Sequence, residues 1–246
     1  MDESIKRVEA RLSVLEAEQP VLPSTAPTAD HRPAAATYPV TDYPGLQAEH
    51  LSGATLYANR VDALAQVPKN GYVAEVGVAL GDFTETVLRV LTPKHFDAYD
   101  IFLLHHEQHL WGQPTDEIFG GRKHREFYEE RFAHEIASET LSVFEGDSSV
   151  KIAERPNRHY DMIYIDGDHS LEGVWRDTEA SIPKLKDDGL LVFNDYTMMD
   201  HTTIAPYGIV PVVNTLCADR GWVVAYFAFQ HALFCDIALT RPREAR

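Results

Sequence analysis

The sequence predicts an α/β fold of the doubly wound, Rossmann-like type, with a mostly parallel seven-stranded sheet closed by an antiparallel C-terminal strand. Three features carry that reading. Short apolar runs of strand length alternate with helical stretches, the pattern of right-handed βαβ units. A glycine-bearing turn, Glu75-Val76-Gly77-Val78-Ala79-Leu80-Gly81, follows the first of these runs. Acidic residues then close one strand after another, at Asp100, Asp147, Asp166 and Asp195.

The elements follow in order. Over residues 1–18, Ile5, Val8, Leu12 and Leu15 recur at spacings of three and four, a two-heptad seam that predicts an amphipathic helix. Two heptads are too few for an isolated coiled coil, so this helix is expected to dock on the domain or to build a homo-oligomer. Residues 19–44, with Pro20, Pro23, Pro27, Pro33 and Pro39 among Ala and Thr, read as a linker. The domain spans 45–246. It opens with a predicted helix from His50 to Val67, with Leu56, Val61, Leu64 and Val67 facing a core. Strands are expected at 72–76, 96–99, 141–144, 162–165 and 190–193. Helices are expected at 82–91, from 171 with Val174, Trp175 and Thr178 on one face, and at 209–218. Residues 222–229 and 233–239 form the closing antiparallel pair. Residues 101–140 are too long for a plain crossover; they hold five histidines, His105, His106, His109, His124 and His134, with Trp111, Phe119, Phe127, Tyr128 and Phe132. They read either as surface helix or as a lid over an acceptor pocket.

Composition narrows the class. The 246 residues are 44% hydrophobic and 24% charged, enough for one domain with a core. A net charge of −16 repels phosphate backbones and anionic lipid, so no nucleic-acid and no membrane partner is expected. Cys217 and Cys235 lack any framework spacing and read as buried thiols. Met1-Asp2-Glu3-Ser4 is unlike a signal peptide, and a cytoplasmic location is expected.

In open α/β sheets ligands bind at the carboxyl ends of the strands. Gly77 and Gly81 permit a tight turn and a close backbone approach there. Ala79 departs from the dinucleotide fingerprint, and Asp82 opposes a pyrophosphate at the helix N-terminus. Both features count against a nicotinamide-dependent oxidoreductase and suit a ligand with a sulfonium and an ammonium group. Asp100 is placed to accept ribose hydroxyls, and Asp147 to reach an adenine amino group.

This order of motifs resembles the class I S-adenosylmethionine-dependent methyltransferases. The block Tyr164-Ile165-Asp166-Gly167-Asp168-His169-Ser170-Leu171-Glu172-Gly173, with Pro183–Gly189 and Asn194-Asp195-Tyr196, is similar to the branch of macrolide-sugar and aminocoumarin-sugar O-methyltransferases. The resemblance covers residues 50–240. It implies a methyltransferase that binds S-adenosyl-L-methionine through Glu75, Gly77, Gly81, Asp100, Asp147 and Asp166. It also implies a divalent metal, Mg²⁺ or Mn²⁺, at Asp166, Asn194 and Asp195, gripping an acceptor oxygen. Those strand ends lie side by side, and Asp, Asn and waters make a hard-oxygen donor set. Asn194 departs from the commoner donor patterns in adding no charge. Asp168 or His169 is the expected base, Asp168 by preference, with His169 turned into the start of the next helix. The acceptor implied is a small hydroxylated molecule, a sugar or a phenol of a natural-product pathway. Methylation of nitrogen or carbon stays open, as does a non-catalytic S-adenosylmethionine-binding module.

Overall fold

A computed structural model describes residues 43–200, 205–231 and 234–242. The expected helix over 1–18, and the linker over 19–44 up to residue 42, lie outside them. The described residues belong to one unit, Val40–Arg246.

Eight strands form the main sheet: β1 (Thr55–Tyr57), β2 (Tyr72–Val76), β3 (His95–Asp100), β4 (Leu141–Glu145), β5 (Tyr160–Ile165), β6 (Leu185–Phe193), β7 (Val223–Phe229) and β8 (Cys235–Thr240). Their order is β1-β7-β8-β6-β5-β2-β3-β4. From β4 through β6 every neighbouring pair is parallel, whereas β8 runs antiparallel to both β6 and β7. Parallel strands covered on both faces read as continuous apolar runs. On one face Val73, Phe96 and Tyr164 meet Phe83, Val87 and Leu91 of α2 (Asp82–Leu91). On the other, Val76, Ile163 and Ile165 meet Val174 of α7 (Leu171–Ser181) and Val212 and Leu216 of α8 (Ile209–Arg220).

Strand β1, one beyond the seven expected, interrupts the helix predicted over His50–Val67. Between His50 and Val67 lie a short 3-10 turn, β1, and only then α1 (Arg60–Leu64). Gly53 adopts a φ of 91°, and the Asn59 side chain accepts the Asp62 N–H at 2.9 Å, so the helix starts only at Arg60. Thr55–Tyr57 instead pairs with the open edge of β7 in parallel register. Leu64 and Val67 reach the core as expected, but Leu56 is 67% exposed and Val61 is also exposed. Cys217 is buried and Cys235 half-buried, both as free thiols.

Residues 101–140 are not one helix. They form α3 (Thr115–Phe119), α4 (His124–Arg131) and α5 (Ala133–Ala137), with a two-residue ladder around Trp111. Gly81 abuts the rings of Phe132 and Tyr128, and the buried His124 places Nε2 2.6 Å from the Ala79 carbonyl oxygen. Arg131 donates to the Leu80 carbonyl and to Asp82 and Glu85. This half of the insert clamps the outside of the glycine turn, while residues 101–107 form a wall of the cavity described next.

Candidate functional site

The strand order reverses between β2 and β5, and the carboxyl ends of β2 to β5 open there on a cavity of about 460 Å³. That volume suits a nucleoside-sized ligand. Gly77, with φ at 82°, brings the turn after β2 against the end of β5, and a Cβ there would drive into the Asp166 carbonyl oxygen. Asp166 N–H donates to the Val76 carbonyl at 2.7 Å, and Gly77 N–H to the Tyr99 carbonyl at 2.8 Å. The turn is therefore fixed by the backbone of both neighbouring strands.

Asp100 braces the same turn. One carboxylate oxygen accepts the N–H groups of Val78 (2.9 Å) and Ala79 (3.3 Å), and the other accepts the Phe102 N–H (2.6 Å). The residue still lines the cavity. Glu75 does not line it. It is 1% exposed and faces α2, accepting from Thr84 Oγ1 at 2.6 Å, with Tyr128 Oη 3.0 Å from that hydroxyl. Burial raises its pKa well above the carboxylate range, and the nearby Asp166 and Asp100 add to the rise. Expected as a cofactor ligand, Glu75 sits instead beneath the turn. Asp147 caps α6 (Ser148–Ala153) by accepting the Ser149 hydroxyl and N–H, bonds that hold its pKa below the ordinary value. It remains on the cavity rim.

A second cluster adjoins the cavity at Asp166. Its Oδ1 lies 2.6 Å from Asn194 Nδ2 and 3.2 Å from His169 Nε2. His169 packs edge-on against Tyr207 at 4.4 Å between centroids. Burial alone would lower the His169 pKa, but the hydrogen bond and charge of Asp166, with Asp195 and Asp168, raise it. Asp168 points elsewhere: it is exposed, accepts the Ser170 N–H at 2.9 Å at the start of α7, and lines the cavity. The expected orientations of these two residues are thus reversed.

Asn194 Oδ1 accepts three donors: Gln230 Nε2 (2.8 Å), Arg60 Nη2 (2.9 Å) and Tyr164 Oη (3.2 Å). Turning the amide would set its NH₂ against a guanidinium and a second amide NH₂, so this orientation follows from the partners. Asp236 Oδ1 accepts from the same Arg60 (3.1 Å), Tyr164 and Gln230. Burial pushes the Asp236 pKa up to about 7 against the pull of Arg60, and burial with Asp166 raises that of Asp195. Arg60 also lies over the Phe83 ring at 4.9 Å.

This donor set does not fit the implied metal. Mg²⁺ needs open oxygen ligands in near-octahedral array, and the Asn194 oxygen already carries three donors, one of them a cation. Asp166 Oδ1 holds the Asn194 amide. No group of three or more His, Cys, Asp or Glu gathers for a metal among the described residues. Arg60, Gln230 and Asp236 escaped the sequence reading because they reach Asn194 from elements distant along the chain.

A family model described as a methyltransferase domain matches residues 74–196, from β2 to just beyond Asn194 and Asp195, half of the 246 residues. The chain belongs to this methyltransferase family. It is a methyltransferase, with S-adenosylmethionine as the cofactor. The cavity fits that cofactor: Asp100, Asp147, Asp166, Asp168 and Asp177 face one Arg176, a lining suited to a ligand with a sulfonium and an ammonium group. Solved structures share the fold. An O-methyltransferase family protein from Burkholderia thailandensis matches at 13% identity over 76% of this chain and 56% of that one, with a TM-score of 0.51. A SAM-dependent methyltransferase from Aquifex aeolicus matches at 12% identity, 78% and 93% coverage, and a TM-score of 0.50. The B. subtilis tRNA methyltransferase TrmK matches at 12% identity, 75% and 66% coverage, and a TM-score of 0.50. No curated protein sequence matches. The likeness in fold to a tRNA methyltransferase overturns the expectation, drawn from net charge, that nucleic acid is excluded as a partner. No helix of the described residues is long and apolar enough to cross a membrane.

Proposed function

We propose that this methyltransferase acts on a hydroxyl oxygen of a small hydroxylated molecule, of the sugar or phenol kind, with His169 as the base. The observation that carries the reading is the Asp166–His169 contact at the edge of the cofactor cavity. Asp166 accepts the Nε2–H, which fixes the tautomer that leaves the Nδ1 lone pair to take the acceptor proton. When bound, S-adenosylmethionine supplies an electrophilic methyl on sulfur, and the C–S electrons leave with S-adenosylhomocysteine. Tyr207 holds the imidazole plane, and the Arg60–Asn194 network holds Asp166. Asp168 is less suited to the role, since its carboxylate already accepts the N–H of Ser170, the residue that caps α7. The small acceptor is carried by the resemblance of the Tyr164–Gly173 block.

His169 must be neutral to accept a proton, and its pKa is raised, so the transfer rate should climb with pH through a midpoint above the usual histidine value of about 6.5. His169→Asn should lower kcat by about 10²–10⁴-fold while S-adenosylhomocysteine still binds. A chelator should leave the rate unchanged, because the Asn194 oxygen is taken by Arg60, Gln230 and Tyr164. Assays with labelled cofactor should include sugars, phenols and tRNA. Full activity of His169→Asn would sink the base assignment, and transfer to tRNA alone would sink the small acceptor.

A further inference from the structure

The cofactor cavity contains a carboxylate that none of the sequence motifs contains. Asp177, in the middle of α7, is 5% exposed and lines the cavity. Its Oδ1 accepts the Ser148 hydroxyl at 2.5 Å, from the first turn of α6. Its Oδ2 accepts from no protein group among the described residues. That oxygen is not among the sealed, unpartnered polar atoms either, so it opens on the cavity. A buried carboxylate oxygen without a donor is costly unless a ligand brings one.

The surroundings say which part of a ligand that is. Ile101 and Leu103, directly after Asp100, stand 55% and 50% exposed on the cavity wall. Apolar side chains left open at a cavity wall suit the flat face of a ring. Asp147 and Ser148 line the same cavity. Gly167 carries no side chain there, and a Cβ on it would come within 3.5 Å of Asp177 Oδ2. The carboxylate therefore looks into a slot with apolar and small walls, next to the strand end that receives a ribose.

We infer that Asp177 Oδ2 accepts a hydrogen bond from the exocyclic amine of the cofactor's purine, making Asp177 the residue that selects a 6-amino over a 6-oxo ring. This rests on the reading that the cavity holds S-adenosylmethionine. Burial pushes the Asp177 pKa up to about 6, which leaves it ionised, and so an acceptor, at neutral pH.

Calorimetry with S-adenosylhomocysteine and S-inosylhomocysteine tests the inference. The wild type should prefer the adenosyl ligand by about tenfold or more, the effect of one unmade buried hydrogen bond. Asp177→Asn keeps an oxygen for Ser148 and turns an NH₂ toward the ring, so it should lose or invert that preference. Asp187→Asn, an exposed acid paired with Arg158 away from the cavity, should keep it. Equal binding of both ligands by the wild type, or undiminished preference in Asp177→Asn, overturns the inference. If the wild type binds neither ligand, the cofactor reading fails instead. Should Asp177→Asn not fold, the N6,N6-dimethyl analogue reads the same contact in the wild type: weakened binding supports the inference, and unchanged binding overturns it.

Discussion

Asp100 holds three backbone N–H groups before any ligand arrives. Its carboxylate also lines the cavity, so it is placed to act as ligand acceptor as well as brace. Asp100→Ala should therefore do two things. Leaving the turn's donors unsatisfied should cost about 1–3 kcal/mol of stability, read by urea denaturation. Loss of the ribose acceptor should weaken S-adenosylhomocysteine binding by about 1.5–3 kcal/mol, read by calorimetry. Lost stability with unchanged affinity would reduce Asp100 to a brace. This residue also marks how far the sequence could be read. Its place was legible, because a strand pattern ends there and strand carboxyl ends bear ligands in this fold. Its bonds to Val78 and Ala79 were not, since they depend on how the turn after β2 folds back. Glu75 shows the same limit: the pattern put it next to Gly77, but alternation along β2 turned it away from the cavity toward Thr84.

The elements that meet around Asn194 were harder to read. Arg60 stands at the start of α1, Asn194 just after β6, Asp236 on β8, and Gln230 just after β7. Nothing in local periodicity joins them, and the segment that bears Arg60 was expected to be one long helix. Apolar residues at helical spacing misled there, because Gly53 and Asn59 stop the helix and β7 offers an unpaired edge. The metal expectation failed for the same reason: Asp166, Asn194 and Asp195 were legible as neighbours, while the guanidinium between the acids was not. Arg60 faces an Asp236 side chain that is only 3% exposed. Removing one partner of such a pair strands the other charge, at about 3–5 kcal/mol. Arg60→Met should fall toward the lower part of that range, because Arg60 itself is partly open to solvent, which screens the pair. Adding Asp236→Asn should recover much of the loss. Denaturation midpoints of the two variants decide it. A single variant as stable as the wild type would mean that the pair holds nothing in place.

Charge acts on the molecule in two ways that can be separated. A net charge of −16 repels itself across the surface. Several carboxylates are also held protonated-prone inside: Glu75, Asp177, Asp195 and Asp236 all have raised pKa values, near 6 for Asp177 and near 7 for Asp236, with burial the largest cause. In the unfolded chain such groups titrate near 4. A raised folded value means that their stabilising contribution is complete below the unfolded pKa and is lost as pH rises through the folded one. His169, also raised, acts in the same direction. His105 and His159, both lowered chiefly by desolvation, oppose it, and the lowered Asp147 and Asp187 matter only under more acid conditions. Between pH 8 and pH 6 the protein should therefore gain on the order of 1 kcal/mol, seen as a rise in Tm. Surface repulsion also eases on acidification, but about 1 M salt shortens its reach to roughly 3 Å, whereas buried groups are little screened. The rise should thus persist in 1 M salt and flatten in Asp236→Asn. A Tm that stays level or falls from pH 8 to pH 6 in high salt would show that the buried acids are relieved by their hydrogen bonds at every pH in this range.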